Sequence, residues 1–261
     1  MKIGIIGLGW LGLPLAKSLL NNGFQVIGTT RSRSVELFHE RFSHVLFDPL
    51  VKKQASAVYF GDLDVLILAF TPSKTGEKAY ARDCVRILDL IPPTCKVIQL
   101  SSTSVYPQRN DVFNEFDYPA GSIKTNAIGY AELAISSILR DRLTVIRLSG
   151  LVGPKRYPVT AMTTSGKTYQ AMDRVNLIHQ EDAIGLIEHV IRQKLWNKTI
   201  NGCATAHPFK GQLYTEMASK LGIDPPFFEN EVRSERIISN RYSLELGYAY
   251  MYPDPLDFPI A

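Results

Sequence analysis

Short, continuous apolar runs alternate with segments of helical period along the first part of the chain. The runs lie at Lys2–Ile6, Phe24–Ile27, His44–Phe47, Val65–Ala69, Val97–Leu100 and Thr144–Leu148. They are β-branched or aromatic and do not alternate apolar with polar, the pattern of strands buried on both faces of a parallel sheet. Between them, Leu11–Leu20, Tyr80–Leu90 and Tyr130–Leu139 space their apolar residues as amphipathic helices do. Strands alternating with helices predict an α/β fold with a Rossmann-type, doubly wound parallel sheet.

After Gly153-Pro154 the texture changes. Pro158–Lys167 is small and polar, Val175–His179 reads as a short strand, and Glu181–Arg192 carries Ala183, Ile184, Ile187, Val190 and Ile191 on one helical face. Leu213–Leu221 is a further helix, with Gly222 placed to end it as a left-handed cap. The tail from Pro225 is rich in Pro, Tyr and Phe. The expected organisation is a first, Rossmann-type domain over residues 1–154. A smaller C-terminal substrate-side lobe over 155–261 is interleaved with it and does not fold independently.

The first strand flows into Gly7-Leu8-Gly9-Trp10-Leu11-Gly12, a G-x-G-x-x-G. Gly7 allows the tight strand-to-helix turn, Gly9 lets backbone approach a pyrophosphate, and Gly12 lets the helix pack on the strand. The N–H groups that open the helix, at Trp10, Leu11 and Gly12, face the negative charge. A purely structural turn is the alternative. At the end of the second strand, where an NAD-specific protein places Asp or Glu on the ribose, the chain reads Gly28-Thr29-Thr30-Arg31-Ser32-Arg33. No acid is present. Thr30 leaves room for a 2′-phosphate, and Arg31 and Arg33, with Ser32 between them in the same cofactor-binding stretch, can meet it with charge-assisted hydrogen bonds, so NADP(H) is favoured over NAD(H). The competing view is that the arginines solvate a surface loop.

Composition narrows the class. Hydrophobic residues at 45% and charged residues at 21% describe an ordinary globular protein. The net charge of +4 includes no Lys/Arg block longer than a pair, which argues against nucleic acid as a partner. Cys84, Cys95 and Cys203 are widely spaced in or beside apolar runs and read as reduced, buried thiols of a cytoplasmic protein, not a disulfide framework or metal site. The N-terminal segment lacks the features of a signal peptide, and no run reaches the ~18 apolar residues of a membrane span.

Further motifs follow in a fixed order. Ser101-Ser102-Thr103-Ser104-Val105-Tyr106-Pro107 follows the fifth strand, Arg147-Leu148-Ser149-Gly150-Leu151-Val152-Gly153-Pro154 the sixth, then come Val175-Asn176-Leu177-Ile178-His179-Gln180-Glu181-Asp182 and Leu246-Gly247-Tyr248. With the glycine turn, this set resembles an atypical extended short-chain dehydrogenase/reductase of the NAD(P)-dependent epimerase/dehydratase type. The resemblance implies that Ser102, three residues before Val105, holds the reacting oxygen of the substrate. It implies that Asp48 meets the adenine, that Leu68, Ala69 and Phe70 line the cofactor, and that Ser101, Ser149 and Gly150 lie along it. Asp182, after His179, would organise local hydrogen bonds at a helix start. Lys155 and Arg156 lie on the implied substrate side, as anion contacts or as solvated charge.

One part of the family pattern is broken. The family's acid/base Tyr is followed four residues later by a Lys that lowers the phenol pKa. Here Ile128 stands at the tyrosine position and Glu132 at the lysine; aligning Tyr130 instead leaves Ala134 at the lysine. Tyr130 or Tyr106 is then a candidate substitute acid, and Ile128→Tyr with Glu132→Lys would restore the pair. The expected function is nicotinamide-dependent oxidoreduction of a small polar substrate by a monomer or homodimer. The alternative is a catalytically silent NADP(H)-binding sensor or interaction module.

Overall fold

The computed structural model describes residues 1–32, 35–48, 60–72, 77–123, 126–231 and 234–260. The early apolar runs become β1 (Lys2–Ile6), β2 (Gln25–Thr30), β3 (Phe42–Leu46), β4 (Val65–Leu68), β5 (Lys96–Ser102) and β7 (Leu143–Leu148). The periodic segments become α1 (Gly12–Asn21), α2 (Glu77–Leu88) and α3 (Ala127–Leu139). Around and after these lie β6 (Val112–Phe113), β8 (Gly150–Val152), α4 (Pro158–Thr163), β9 (Thr168–Gln170), β10 (Leu177–His179) and α5 (Gln180–Arg192). Then follow β11 (Thr199–Gly202), α6 (Lys210–Leu221), β12 (Phe227–Glu229), β13 (Ile237–Ile238) and α7 (Arg241–Glu245).

Seven strands form one parallel central sheet in the order β11-β7-β5-β4-β1-β2-β3. β1 is flanked by β2 and β4, with Ile3 opposite both Val26 and Val65. The chain therefore builds outward from β1 in one direction and then in the other. Open α/β sheets bind ligands beyond the carboxyl ends of the strands at such a switch point.

Two expectations about elements need correction. β3 starts at Phe42 and ends at Leu46, and only Val45 of its residues is buried. Among the described residues it is the sheet's edge and pairs with β2 alone, so one of its flanks has no described neighbour to cover it. α3 starts at Ala127, not Tyr130, because Asn126 caps it: its Oδ1 accepts the Ile128 and Gly129 N–H groups, each at 3.0 Å. The expected end of α6 does occur at Gly222, which is left-handed at φ +66°.

The chain divides into two compact units that interleave in sequence, one over residues 1–105, 118–147 and 187–199, the other over 106–117, 148–186 and 200–261. In the first, β1, β4 and β5 pack with α2 and α3 through Ile6, Leu66, Leu68, Cys84, Ile87, Val97, Ala131 and Ile135. In the second, Val152, Val159, Leu177, Leu213, Met217 and Phe258 form the core. Asp182, at the start of α5, ties down the tail of this unit. Its carboxylate accepts from Met251 N at 2.6 Å, Tyr252 N at 3.0 Å and the Tyr248 hydroxyl at 3.1 Å. All three cysteines are buried and unpaired. No helix among the described residues is long and apolar enough to cross a membrane.

Candidate cofactor and active site

The three glycines of the first turn differ in what they leave room for. Gly7 has φ +106°, and a Cβ there would stand 3.0 Å from the Ala69 carbonyl oxygen. A Cβ on Gly12 would lie 2.1 Å from the Gly7 carbonyl oxygen. Both positions are thus dictated by the protein's own packing. At Gly9 a Cβ would meet nothing within 4 Å, so the chain itself does not require glycine there. The turn is tied to β2 by Leu8 N donating to Thr29 O at 2.8 Å and Gly7 N to Thr29 Oγ1 at 3.2 Å.

Just before α1, Trp10 is half-buried and Leu11 buried. No side chain caps this helix, and its first turn holds no acid. The positive end of its dipole is therefore not neutralised by a side chain of α1. Leu68 ends β4, Ala69 N donates to Ile6 O at 2.9 Å, and the Phe70 carbonyl accepts the Tyr80 hydroxyl at 3.0 Å. Leu68, Ala69 and Phe70 are thereby brought against the glycine turn.

At the end of β2, Thr30 is 8% exposed and its hydroxyl lies 2.8 Å from His44 Nε2 on β3. Arg31 and Ser32 are exposed, while Arg33 lies outside the described residues. Asp48 follows β3, half-buried, next to Phe47, whose N–H donates to Thr30 O at 2.8 Å.

The two serines that end β5 face different surroundings. Ser101 is buried and donates to Glu132 Oε1 on α3 at 2.5 Å, so its hydroxyl is turned to the helix. The Ser102 hydroxyl accepts Ser104 N at 3.1 Å and keeps its own proton for donation. Asn126 joins this loop to α3, its Nδ2 donating to Ser104 O at 2.9 Å. Tyr130 is half-buried on α3 against the core of the first unit, and among the described residues no hydrogen bond joins it to Ser102.

Glu132, at the position where the resemblance puts a lysine, is fully buried. Arg147 on β7, also fully buried, donates to it through Nη2 at 2.6 Å and Nε at 3.0 Å. Gly121 N reaches the same carboxylate at 3.4 Å, and Arg147 Nη1 donates to Tyr118 O at 2.6 Å. The absence of the lysine is plain in the sequence, whereas this pairing is not. Its trace was an acid inside the apolar helix segment Ala131–Ile135 and an arginine inside the apolar strand Thr144–Leu148.

In the second unit, Tyr106 is 1% exposed, stacks at 5.4 Å from Phe113 and donates its hydroxyl to Asn201 Oδ1 at 2.8 Å. That geometry is a core tyrosine's, and it does not suit the expected substitute acid. Ser149 N donates to Gly202 O at 2.9 Å, and its hydroxyl is buried beside the Cys203 thiol, which burial pushes up to about 12. Gly150 opens β8 opposite Leu177 and is exposed.

Residues 2–114 match the family described as the NAD binding domain of 6-phosphogluconate dehydrogenase. The chain is 33% identical to Protein YeeZ of Escherichia coli K12 over 276 residues, covering 99% of each. The fold resembles that of UDP-glucuronic acid 4-epimerase from Bacillus cereus, solved with UDP-glucuronic acid and NAD, at TM-score 0.77 and 17% identity over 98% of this chain and 96% of that one. It also resembles a human epimerase family protein solved with NADPH, at TM-score 0.71 and 15% identity over 98% and 96% of the two chains.

Proposed function

The chain belongs to the family of Escherichia coli protein YeeZ, and from that premise we propose that it is an NADP(H)-dependent oxidoreductase of atypical short-chain dehydrogenase/reductase build. Its substrate is a small polar molecule carrying a carbonyl or alcohol. The observation that carries the reading is the open space in front of Gly9, set between two glycines that the fold itself demands. That room at an uncapped helix start suits a pyrophosphate.

Each residue then has a task. Gly9 and the opening N–H groups of α1 receive the pyrophosphate, Thr30 and Arg31 the 2′-phosphate, and Asp48 the adenine. The bound nicotinamide supplies hydride transfer. Ser102, half-buried at the end of β5 with a proton to give, donates a hydrogen bond to the reacting oxygen and polarises it. We place the protein in the cytoplasm as a monomer or homodimer.

A second reading has its own support. The buried pair of Glu132 and Arg147 leaves no ammonium on α3 to lower the pKa of a nearby phenol. A silent NADP(H)-binding module needs no such group. Titration of the protein with NADPH and NADH tests the cofactor, with NADPH expected to bind about tenfold more tightly or better, as one charge-assisted contact would give. Equal affinities, or a preference unchanged in Arg31→Ala, would overturn the assignment. A carbonyl substrate screen following NADPH absorbance then separates enzyme from silent module.

A further inference from the structure

Asn126 makes more hydrogen bonds than a helix cap requires. Its Oδ1 accepts the Ile128 and Gly129 N–H groups, each at 3.0 Å, and these two bonds are the cap of α3. Its Nδ2 serves another purpose, donating to the Ser104 carbonyl at 2.9 Å and to Ser104 Oγ at 3.4 Å. Two N–H donors against one end of the amide and a carbonyl against the other leave only this orientation of the group. Asp or Ser would cap the helix as well as Asn does, and neither has an N–H to offer Ser104. Capping alone therefore does not call for an amide.

What the amide reaches is the backbone that holds Ser102. Ser104 lies in the short 3-10 turn Thr103–Val105 directly after β5, and it is exposed. Its backbone is held on both sides: its N–H donates to Ser102 Oγ at 3.1 Å, and its carbonyl accepts from Asn126. The first bond takes an acceptor site of the Ser102 hydroxyl and leaves the serine proton to point elsewhere. The second ties Ser104 to the start of α3, a helix fixed in the core of the first unit by Ala131, Ile135 and Leu139. The place of the Ser102 oxygen is thus set, through Ser104 and Asn126, by the helix.

We propose that Asn126 is a positioning residue for Ser102: its amide oxygen caps α3, and its amide nitrogen clamps the Ser102–Ser104 loop where the serine proton meets the reacting oxygen of a carbonyl substrate. This inference rests on the oxidoreductase reading above and adds a residue to it. Asn126 acts through Ser104 and does not itself touch the substrate. A misplacement of about 1 Å in a reacting group costs about a hundredfold in rate, so a loosened clamp lowers turnover while the fold stays intact.

The test separates the two halves of the amide in the full chain. Asn126→Ser and Asn126→Asp keep the acceptor that caps α3 and lose the donor to Ser104, whereas Asn126→Ala loses both. Amide exchange followed by NMR reads the clamp with no substrate present. In the first two variants the Ser104 N–H should exchange about fivefold faster, the loss of one hydrogen bond, while the Gly129 N–H and Tm stay as in wild type. In Asn126→Ala the Gly129 N–H should be released as well and Tm should fall. NADPH-dependent turnover of three probe carbonyls, diacetyl, glyoxal and pyruvate, reads the consequence. With Asn126→Ser and with Asn126→Asp, kcat should drop about tenfold or more, at unchanged KM and unchanged NADPH affinity. Unchanged exchange at Ser104, or kcat retained in either variant, overturns the role of Asn126 alone. A wild type that turns over none of the three probes overturns the oxidoreductase reading and this proposal together.

Discussion

Glu132 on α3 and Arg147 on β7 neutralise each other out of contact with solvent, joined at two points across the helix–sheet packing of the first unit. A buried pair of this kind gains little over an apolar one, but removing one partner strands the other as an uncompensated charge. Arg147→Ala is therefore expected to cost about 3–5 kcal/mol, enough to unfold much of the population. Glu132→Gln keeps a hydrogen-bond acceptor for the guanidinium and should cost less. Glu132→Lys alone sets two buried cations against each other. The family dyad consequently cannot be rebuilt through Ile128→Tyr and Glu132→Lys without also replacing Arg147. Denaturant unfolding of the three variants checks the order; a stable Glu132→Lys protein would refute it.

The glycine turn separates folding from binding. Gly9→Val places its side chain in open space and should fold as wild type, within about 2 °C in Tm. NADPH affinity should fall by about two orders of magnitude or more, because the branched side chain occupies the room the pyrophosphate needs. Gly12→Ala should behave in the opposite sense. Its Cβ would lie 2.1 Å from a backbone oxygen that cannot swing away, an overpacking worth about 3 kcal/mol and a Tm loss of about 5–10 °C. Circular dichroism and a binding titration on both variants provide the check. Retained affinity in Gly9→Val would make the turn purely structural.

How much was readable follows from distance along the chain. β1, the turn and α1 obey local rules, apolar run, glycine spacing and helical period, and the structure reproduces them within a residue or two. The absence of an acid at Thr30 was equally plain because it is a single position at a strand end. The contacts that set the site's chemistry are non-local. Glu132 meets Arg147 only after a helix and a strand have packed, and His44 meets Thr30 only through strand pairing. Asn126 is a local signal, since a cap residue ahead of an apolar helix is legible without any tertiary information. Tyr106 shows the converse: four residues beyond Ser102 in sequence, it belongs to a core and gives its hydroxyl to Asn201.

Acid should loosen the second unit. His179 is buried against the rings of Tyr252 and Phe258, and its Nε2 has no hydrogen-bond partner among the described residues. Burial holds its pKa below the usual histidine value, against the opposing pull of Glu181 and Asp182. His207 is lowered as well, burial again being the main cause. A histidine depressed in the folded state leaves the unfolded chain binding more protons below its own pKa of about 6.5, so stability is lost as pH falls through that value toward the folded one. Tm should therefore decline between about pH 7 and pH 5. The slope should be shallower in His179→Phe, which fills the same aromatic slot without titrating. Equal slopes in the two proteins would remove His179 from the account.

The two serines that end β5 give the sharpest test of chemistry. Ser102→Ala removes a hydroxyl whose proton has no partner in the described structure, so the fold should tolerate it and NADPH affinity should be unchanged. If Ser102 polarises the reacting oxygen, turnover on any substrate found by the carbonyl screen should drop by about two orders of magnitude, the usual effect of deleting one such donor. Ser101→Ala acts elsewhere. It takes a donor from the buried Glu132 carboxylate and should lower Tm, with a smaller effect on turnover. Tyr106→Phe serves as the control for the adjacent loop: it frees Asn201 Oδ1 in a core and should cost about 1–3 kcal/mol of stability without a specific loss in kcat. Steady-state kinetics beside thermal melts distinguish these outcomes. If Ser102→Ala is as active as wild type, the hydrogen bond to the substrate must come from another residue, and Tyr130, half-buried on α3, is the next to change.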